Sequence, residues 1–239
     1  MLTEERHLEG SPLHEAFRCV FRQFDAFQWG FKKGEHRVGQ ASIKYLGLTR
    51  EGVQVAEVVE FRGDLVLGEP ADQIVASRTA RMAFSVVGVP AWYHSKGHGG
   101  EVSLTHLGSS RPLDGRVLVT LPNGQRFVKH VEHLAFFYEE FFPIQEWLAV
   151  ALDLSWPKSG GPFGMSTCFS VSLLKGLPFG YHALAERPTV VRTSFGQEIT
   201  LDGFIADEIR IRRPRHSDRL ILEEKHPASP GTQGDSFEG

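Results

Sequence analysis

The sequence predicts an α+β fold: a strand-rich single domain of about ten short strands, mostly in antiparallel hairpins, with one central helical insert near residues 132–153. Three observations support this. Short alternating apolar runs recur along the chain, an Asn-Gly pair marks a hairpin at 123–124, and the apolar period becomes helical near residue 132. We expect residues 1–13 to be a loose lead-in, 14–225 the domain and 226–239 a disordered tail.

Composition supports a folded protein. The 239 residues carry a net charge of -3, with 41% apolar and 23% charged side chains, which excludes a disordered or collagen-like chain. Two cysteines exclude a disulfide scaffold. No run approaches the ~18 to 20 apolar residues of a membrane helix, so no membrane partner is expected. The polar amino-terminal residues predict a cytoplasmic location.

The first third of the chain predicts a helical turn followed by paired strands. Phe17, Phe21 and Phe24 have helical spacing, whereas residues 27–31 alternate strictly as a strand does. Residues 42–48 and 53–61 predict the two strands of a hairpin, and residues 62–64 predict a turn.

The middle third continues with strands. Residues 81–87 predict a buried strand, residues 95–100 a glycine-rich loop and residues 101–107 an alternating strand. Residues 116–121 and 125–131 flank Asn123-Gly124, so they predict a hairpin.

The final part begins with the helical insert. Leu134, Phe137 and Tyr138 have helical spacing, which resumes after Pro143 and predicts two short helices or one kinked helix. Beyond it we expect a strand over residues 166–174, a loop at 176–180 and a hairpin formed by residues 189–194 and 198–204. Short strands at residues 209–213 and 220–222 end the domain.

Five arginines fall within residues 210–219, where a short strand is followed by a loop. Alternation places Arg210 and Arg212 on the solvent side of that strand. Guanidinium forks bind phosphate bidentately and stack on bases, so this pattern suits a nucleic-acid backbone. The candidate phosphate contacts are Arg210, Arg212, Arg213, Arg215 and Arg219.

A second segment combines rings with cations. Trp29 lies close to Lys32, Lys33 and Arg37, and stacking rings beside cations are typical of proteins that bind single-stranded nucleic acid. The leading interpretation is therefore a nucleic-acid-binding subunit, with RNA favoured, no cofactor, and other protein subunits as further partners. A protein-interaction module without catalysis is an alternative, and an exposed apolar patch would indicate it.

The eleven histidines allow a metal-dependent enzyme as the other alternative. His130 and Glu132 form a His-x-Glu pair, His182 follows 52 residues after His130, and Arg192 and Ser194 form an Arg-x-Ser pair ten residues later. This order resembles the iron(II)/2-oxoglutarate oxygenases. The resemblance implies iron held by His130, Glu132 and His182, with Arg192 and Ser194 on the co-substrate.

A helix beginning near residue 132 allows a different metal site. His130 and His133 would then lie three residues apart, with Glu140 further along the same face and His94 or His98 from the glycine-rich loop. Imidazole and carboxylate ligands of this kind suit zinc. The iron and zinc hypotheses require opposite local structures at Glu132.

Overall fold

Strands account for most of the chain. The computed structural model describes residues 11–22, 25–33, 36–51, 54–67, 74–85, 88–107, 115–139, 141–142, 144–156, 166–186, 189–202, 205–211 and 220–227. Helix α1 spans Pro12–Val20 and α2 spans Ile144–Leu154. The strands are β1 Ala26–Lys33, β2 His36–Glu51, β3 Gln54–Leu67, β4 Ile74–Ser85, β5 Pro90–Gly97, β6 Gly100–His106, β7 Gly115–Thr120, β8 Arg126–Val131, β9 Leu134–Tyr138, β10 Ser166–Ser170, β11 Lys175–Phe179, β12 Tyr181–Glu186, β13 Thr189–Thr193, β14 Gln197–Asp202, β15 Ile205–Ile211 and β16 Leu220–Pro227.

The strands form two sheets. A thirteen-stranded sheet has the order β12-β13-β14-β15-β16-β1-β2-β3-β4-β5-β6-β7-β8, and its neighbouring strands are antiparallel. A three-stranded sheet has the order β11-β10-β9, with β9 parallel to β10. The small sheet joins the large one through the turn after β8 and through Gly180 before β12.

Alternation along the strands gives the large sheet an apolar inner face. One inner row crosses five adjacent strands at directly opposed positions, and all its side chains are almost fully buried. The row consists of Val59, Met82, Tyr93, Leu104 and Val119. Because successive strand residues point to opposite faces, the intervening positions form a separate outer face, which we define as the face opposite this row.

Helix α2 lies against this inner face. Its first nine residues, Ile144 to Leu152, are all buried, so the helix is enclosed on every side rather than lying on a surface. The Trp147 ring packs edge-on against Trp29 of β1, with 5.1 Å between the ring centroids, and lies 5.9 Å from Phe27. The aromatic residues of β1 therefore form the core around α2.

The predicted α+β fold with a helical insert over residues 132–153 is wrong. Leu134–Tyr138 forms strand β9, and helix is confined to Ile144–Leu154. The run Leu-Ala-Phe-Phe-Tyr is apolar at every position and buried at every position, as in a strand covered on both faces. A short continuous apolar run fits helical spacing equally well, which explains the error. The described structure is predominantly β, with two short helices.

Several local predictions hold and others fail. The hairpins β2–β3, β7–β8 and β13–β14 are confirmed as antiparallel pairs, and the helical spacing near Phe17 is confirmed by α1. The turn predicted at residues 62–64 lies inside β3, and the loop predicted at 176–180 is largely β11. The polar residues Arg62 and Asp64 do not interrupt β3, because both lie on the outer face of the sheet.

The ends of the predicted domain are partly described. Helix α1 begins at Pro12 after the Ser11 cap, and its Leu13 is buried. Strand β16 ends at Pro227, and residues 1–10 and 228–239 lie outside the described residues. Neither described helix has the length and apolar character needed to span a membrane.

Glu146 places a carboxyl group in the apolar interior. It lies on α2 with 1% of its surface exposed, and the Thr193 hydroxyl of β13 donates a hydrogen bond to its Oε2 atom. Burial raises the pKa of Glu146 from 4.5 to about 8, although hydrogen bonds from Thr193 and Tyr138 act to lower it. At neutral pH the group is therefore mostly protonated.

Glu146→Gln should flatten the pH dependence of stability. Between about pH 5 and about pH 8 the native state keeps a proton that the unfolded chain has released, so the free energy of unfolding falls as pH rises. The amide has no proton to lose and removes this fall. Urea denaturation across that pH range checks it, with Glu132→Gln in an exposed turn as control. An unchanged pH slope in Glu146→Gln would contradict the assignment.

Gly124→Ala should destabilise the β7–β8 hairpin by about 1 kcal/mol, because Gly124 has a left-handed φ of 80° that costs a residue with a Cβ atom. Gly99→Ala, in the β5–β6 hairpin, is the control. A Cβ atom meets no neighbour within 4 Å at either position, and only Gly124 has the left-handed φ. Equal free energies of unfolding for the two variants would contradict this explanation.

Candidate anion-binding face

A row of polar side chains crosses the outer face at directly opposed positions. It includes one residue from each of seven adjacent strands, β2 to β8. Strands lie about 4.8 Å apart, so the row is about 29 Å long. We call it the Glu60 row, and its members are Lys44, Glu60, Arg81, His94, Ser103, Thr120 and Arg126.

Glu60 holds two guanidinium groups. Its Oε1 atom accepts from Arg62 Nε and lies 2.8 Å from Arg62 Nη2, and its Oε2 atom accepts from Arg81 Nε at 2.9 Å. Glu60 is 4% exposed, whereas Arg62 and Arg81 are 66% and 56% exposed. One buried carboxylate thus orients two solvent-facing cations, and the triad keeps one net positive charge. The N–H groups that Glu60 does not use remain available to a ligand.

Further cations lie on the same face, on the β5 to β8 side of the triad. Lys96 lies on β5, Arg116 on β7 and Arg126 on β8; all three are exposed, and none forms an ion pair within the described part of the chain. From β2 to β8, the outer positions whose side chains the structure describes hold six lysines and arginines but three carboxylates, Glu60, Asp64 and Glu101. This net charge of +3 contrasts with the net charge of -3 for the whole chain.

A half-buried indole lies on the same outer face. Trp92 of β5 packs on Val58 and Ala83 of the outer face. The His94 ring meets Trp92 edge-on, with 4.8 Å between centroids, and its Nδ1 atom lies 3.3 Å from the Ser103 hydroxyl. The outer face therefore combines exposed cations, hydroxyl groups and a fixed aromatic ring.

The structure aligns two segments that the sequence separates. Arg210 of β15 lies opposite Ile221 of β16, Ile221 lies opposite Lys32 of β1, and Lys32 lies opposite Arg37 of β2. The predicted residues Arg210, Lys32 and Arg37 thus share one row, and Lys33 is adjacent to it. The remaining predicted contacts, Arg212, Arg213, Arg215 and Arg219, lie outside the described residues.

Trp29 does not belong to a stacking surface, so its predicted contact with nucleic acid is wrong. Its side chain is fully buried, because its position in β1 faces inward onto Trp147. Strict alternation over residues 27–31 correctly predicted the strand but gave no indication of which face was covered.

The predicted iron ligands are distributed over distant parts of the strand order. His130 lies on β8 and His182 on β12, the two terminal strands of the large sheet, while Glu132 lies in the turn after β8. No group of three histidine, cysteine or acidic side chains that could hold a metal occurs among the described residues. The zinc arrangement required a helix after residue 132, where β9 lies instead, and Glu140 is outside the described residues.

The residues predicted to bind a co-substrate have partners within the protein. Arg192 forms an ion pair with Glu198 across the β13–β14 hairpin, with 2.6 Å between Nη2 and Oε1. The Ser194 hydroxyl donates to the Pro178 carbonyl at 3.2 Å and accepts from the Gly180 amide at 3.3 Å. These contacts fix the connection between the small sheet and β12.

The Glu60 row was not predicted from the sequence. Its members range from residue 44 to residue 126, with one residue contributed by each strand, so they form no cluster along the chain. The available signal was a charged residue at alternate positions in β3, β4 and β5, such as Arg62, Arg81 and Lys96. That signal becomes a surface only when the register of each hairpin is known.

No family model and no curated protein matches this chain. Among solved structures, it is similar to a beta-barrel-like protein of domain of unknown function DUF1849 from Brucella abortus, at 10% identity and a TM-score of 0.45 over 84% of this chain and 97% of that chain. It is also similar to a porin-like protein from Bacteroides uniformis, at 10% identity and a TM-score of 0.24 over 85% of this chain and 96% of that one. At these scores neither likeness assigns a function.

Glu60→Gln should lower the free energy of unfolding by at most about 1 kcal/mol at low salt, because solvent already screens two half-exposed arginines. At about 0.5 M salt, the decrease in the free energy of unfolding should be smaller. Salt screens the repulsion between the Arg62 and Arg81 guanidinium groups, which the variant no longer neutralises. Glu101→Gln, exposed on the same face, is the control. A loss that does not change with salt would contradict an electrostatic role for Glu60.

Proposed function

We propose that this protein binds nucleic acid, with RNA favoured, through the outer face of β2 to β8. The observation that carries the proposal is the Arg62–Glu60–Arg81 triad, in which a buried carboxylate holds two exposed guanidinium groups on a net positive face. Arginines held in place lose less side-chain entropy when they bind than freely rotating ones. Such a surface suits an extended anionic chain rather than a single small anion.

Phosphate groups would be bound by the cations of this face. Arg62 and Arg81 retain N–H donors that Glu60 does not use, and guanidinium forks match phosphate geometry. Lys96, Arg116 and Arg126 extend the positive surface across β5, β7 and β8. Contacts of this kind give affinity and orientation rather than sequence specificity.

Bases and sugars would meet the remaining groups of the face. Trp92 offers a ring of fixed orientation, and an unpaired base can stack on such a ring where a base within a duplex cannot. Ser103 and Thr120 place hydroxyl groups within the Glu60 row, where they can hydrogen-bond a ribose 2′-hydroxyl. These features favour single-stranded RNA as ligand.

The row containing Arg210, Lys32 and Arg37 would extend the surface. It crosses β1 about six residues from the Glu60 row, which corresponds to about 20 Å along the strand. A longer RNA could therefore contact both rows. The proposal includes a cytoplasmic location, where RNA is available. It also includes other protein subunits as partners.

The test is the salt dependence of binding to a single-stranded RNA of about 12 nucleotides. Lys96→Gln/Arg116→Gln/Arg126→Gln should weaken binding and reduce the slope of log K against log salt by about 2, since each lost phosphate contact removes about 0.7. Fluorescence anisotropy over a series of KCl concentrations measures both quantities.

The matched control carries the same three charge changes away from this face. Arg18→Gln/Arg22→Gln/Lys175→Gln alters three exposed cations on α1, just after it, and on β11. Its slope should equal that of the unmodified protein. An equal loss in both triple variants would indicate a non-specific charge effect, and binding to anionic lipid vesicles but not to RNA would overturn the proposal.

A further inference from the structure

Strand β8 presents an edge of the large sheet that pairs with no further strand among the described residues. It is the last strand of the order and pairs with β7; on its other side, its Val131 meets the small sheet, where Gly176 of β11 approaches. Residues 126, 128, 129 and 130 are all exposed. Within the part of the chain that the structure describes, no strand covers β8 from Arg126 to His130.

The hydrogen-bond pattern of the β7–β8 hairpin identifies the groups on this edge. The Leu121 amide donates to the Gln125 carbonyl, so that pair is hydrogen-bonded. In an antiparallel ladder such pairs alternate with non-bonded ones, so the next pair, Thr120 and Arg126, is non-bonded. The backbone groups of Arg126, Val128 and His130 therefore point away from β7, towards the edge. A hydrogen bond on the other side of β7 agrees with this alternation. The amide of Leu107, which directly follows β6, donates to the Arg116 carbonyl, so the backbone groups of Arg116 point away from β8.

The side chains along this edge determine which charge a partner segment must carry. β8 carries Arg126, Lys129 and His130, its neighbour β7 carries exposed Arg116, and β8 contains no acidic residue. Val128, 47% exposed, lies between the charged residues. Cations on an edge strand also discourage pairing with a second copy, because two β8 strands would bring four or more positive groups into one ladder.

We propose that β8 is a docking edge for an extended acidic segment of a partner protein, which adds a fourteenth strand to the large sheet. The backbone groups of Arg126, Val128 and His130 supply the ladder hydrogen bonds, and acidic side chains of the partner meet Arg126 and Lys129. This surface shares Arg126 with the proposed nucleic-acid-binding face, but its main element is the backbone edge of β8 rather than the exposed face.

Val128→Pro tests the backbone contribution. Proline removes the outward-pointing N–H but leaves pairing with β7 intact, since that N–H takes no part in the β7 ladder. Binding of a labelled peptide Glu-Ile-Glu-Val-Asp-Val-Glu should weaken at least tenfold. Val128→Ala, which keeps the N–H, should change binding less than threefold. Equal binding by Val128→Pro and the unmodified protein would overturn the proposal.

Charge selection is tested with a peptide in which lysine replaces each acidic residue. This peptide should not bind measurably, and equal binding of both peptides would overturn the proposal. RNA binding by Val128→Pro should remain unchanged, since no charge is altered, so failure of one function does not imply failure of the other.

Amide hydrogen exchange on the unmodified protein provides a readout that does not depend on a variant folding. The acidic peptide should slow exchange at Arg126, Val128 and His130, whose amides point to the edge. The amides of Phe127 and Lys129, which bond to β7, should change little. Protection at Phe127 and Lys129 alone, or protection confined to other strands, would place the peptide elsewhere and overturn the proposal.

Discussion

Enclosure of α2 is the constraint on which the rest of the structure depends. A helix with nine consecutive buried residues has no solvent face, so sheet and helix residues must cover it on every side. The inner face of the large sheet is accordingly apolar, with Phe27, Trp29 and Tyr93 directed towards the core. Exposed polar side chains of β3 and β4 lie on the outer face, which also holds the Arg62–Glu60–Arg81 triad.

Buried polar groups link α2 to the strands that surround it. Glu139, just after β9, accepts hydrogen bonds from Arg78 of β4 and, at 2.5 Å, from the Tyr93 hydroxyl. The Gln145 side chain accepts from the Glu139 amide at 2.7 Å. This network fixes the start of α2, and Arg78 compensates the charge of the buried Glu139 carboxylate. These residues therefore serve to hold the core together.

A second buried carboxylate fixes α1. Glu57 of β3 is fully buried; it accepts from the Tyr45 hydroxyl at 2.5 Å and lies 2.6 Å from His14 Nδ1 of α1. Burial, followed by the hydrogen bond to Glu57, raises the pKa of Tyr45 well above its usual range, so the phenol remains protonated and donates. The Phe17 ring stacks on Tyr45 at 5.1 Å. Helix α1 is thus fixed by both a polar and an aromatic contact.

The sequence by itself determined the elements whose signals are local. These are the hairpin at Asn123-Gly124, the strand in which Phe27 and Phe31 alternate, and the helix that contains Phe17. It failed at Leu134–Tyr138, because a continuous apolar run has the same composition in a buried strand and in a helix, and only the parallel pairing with β10 decides between them. The candidate binding face was decided by tertiary structure alone. Strand register brings Lys44, Glu60, Arg81 and Arg126 into one row, and register depends on turn geometry and on which face is buried, neither of which is encoded in any single strand.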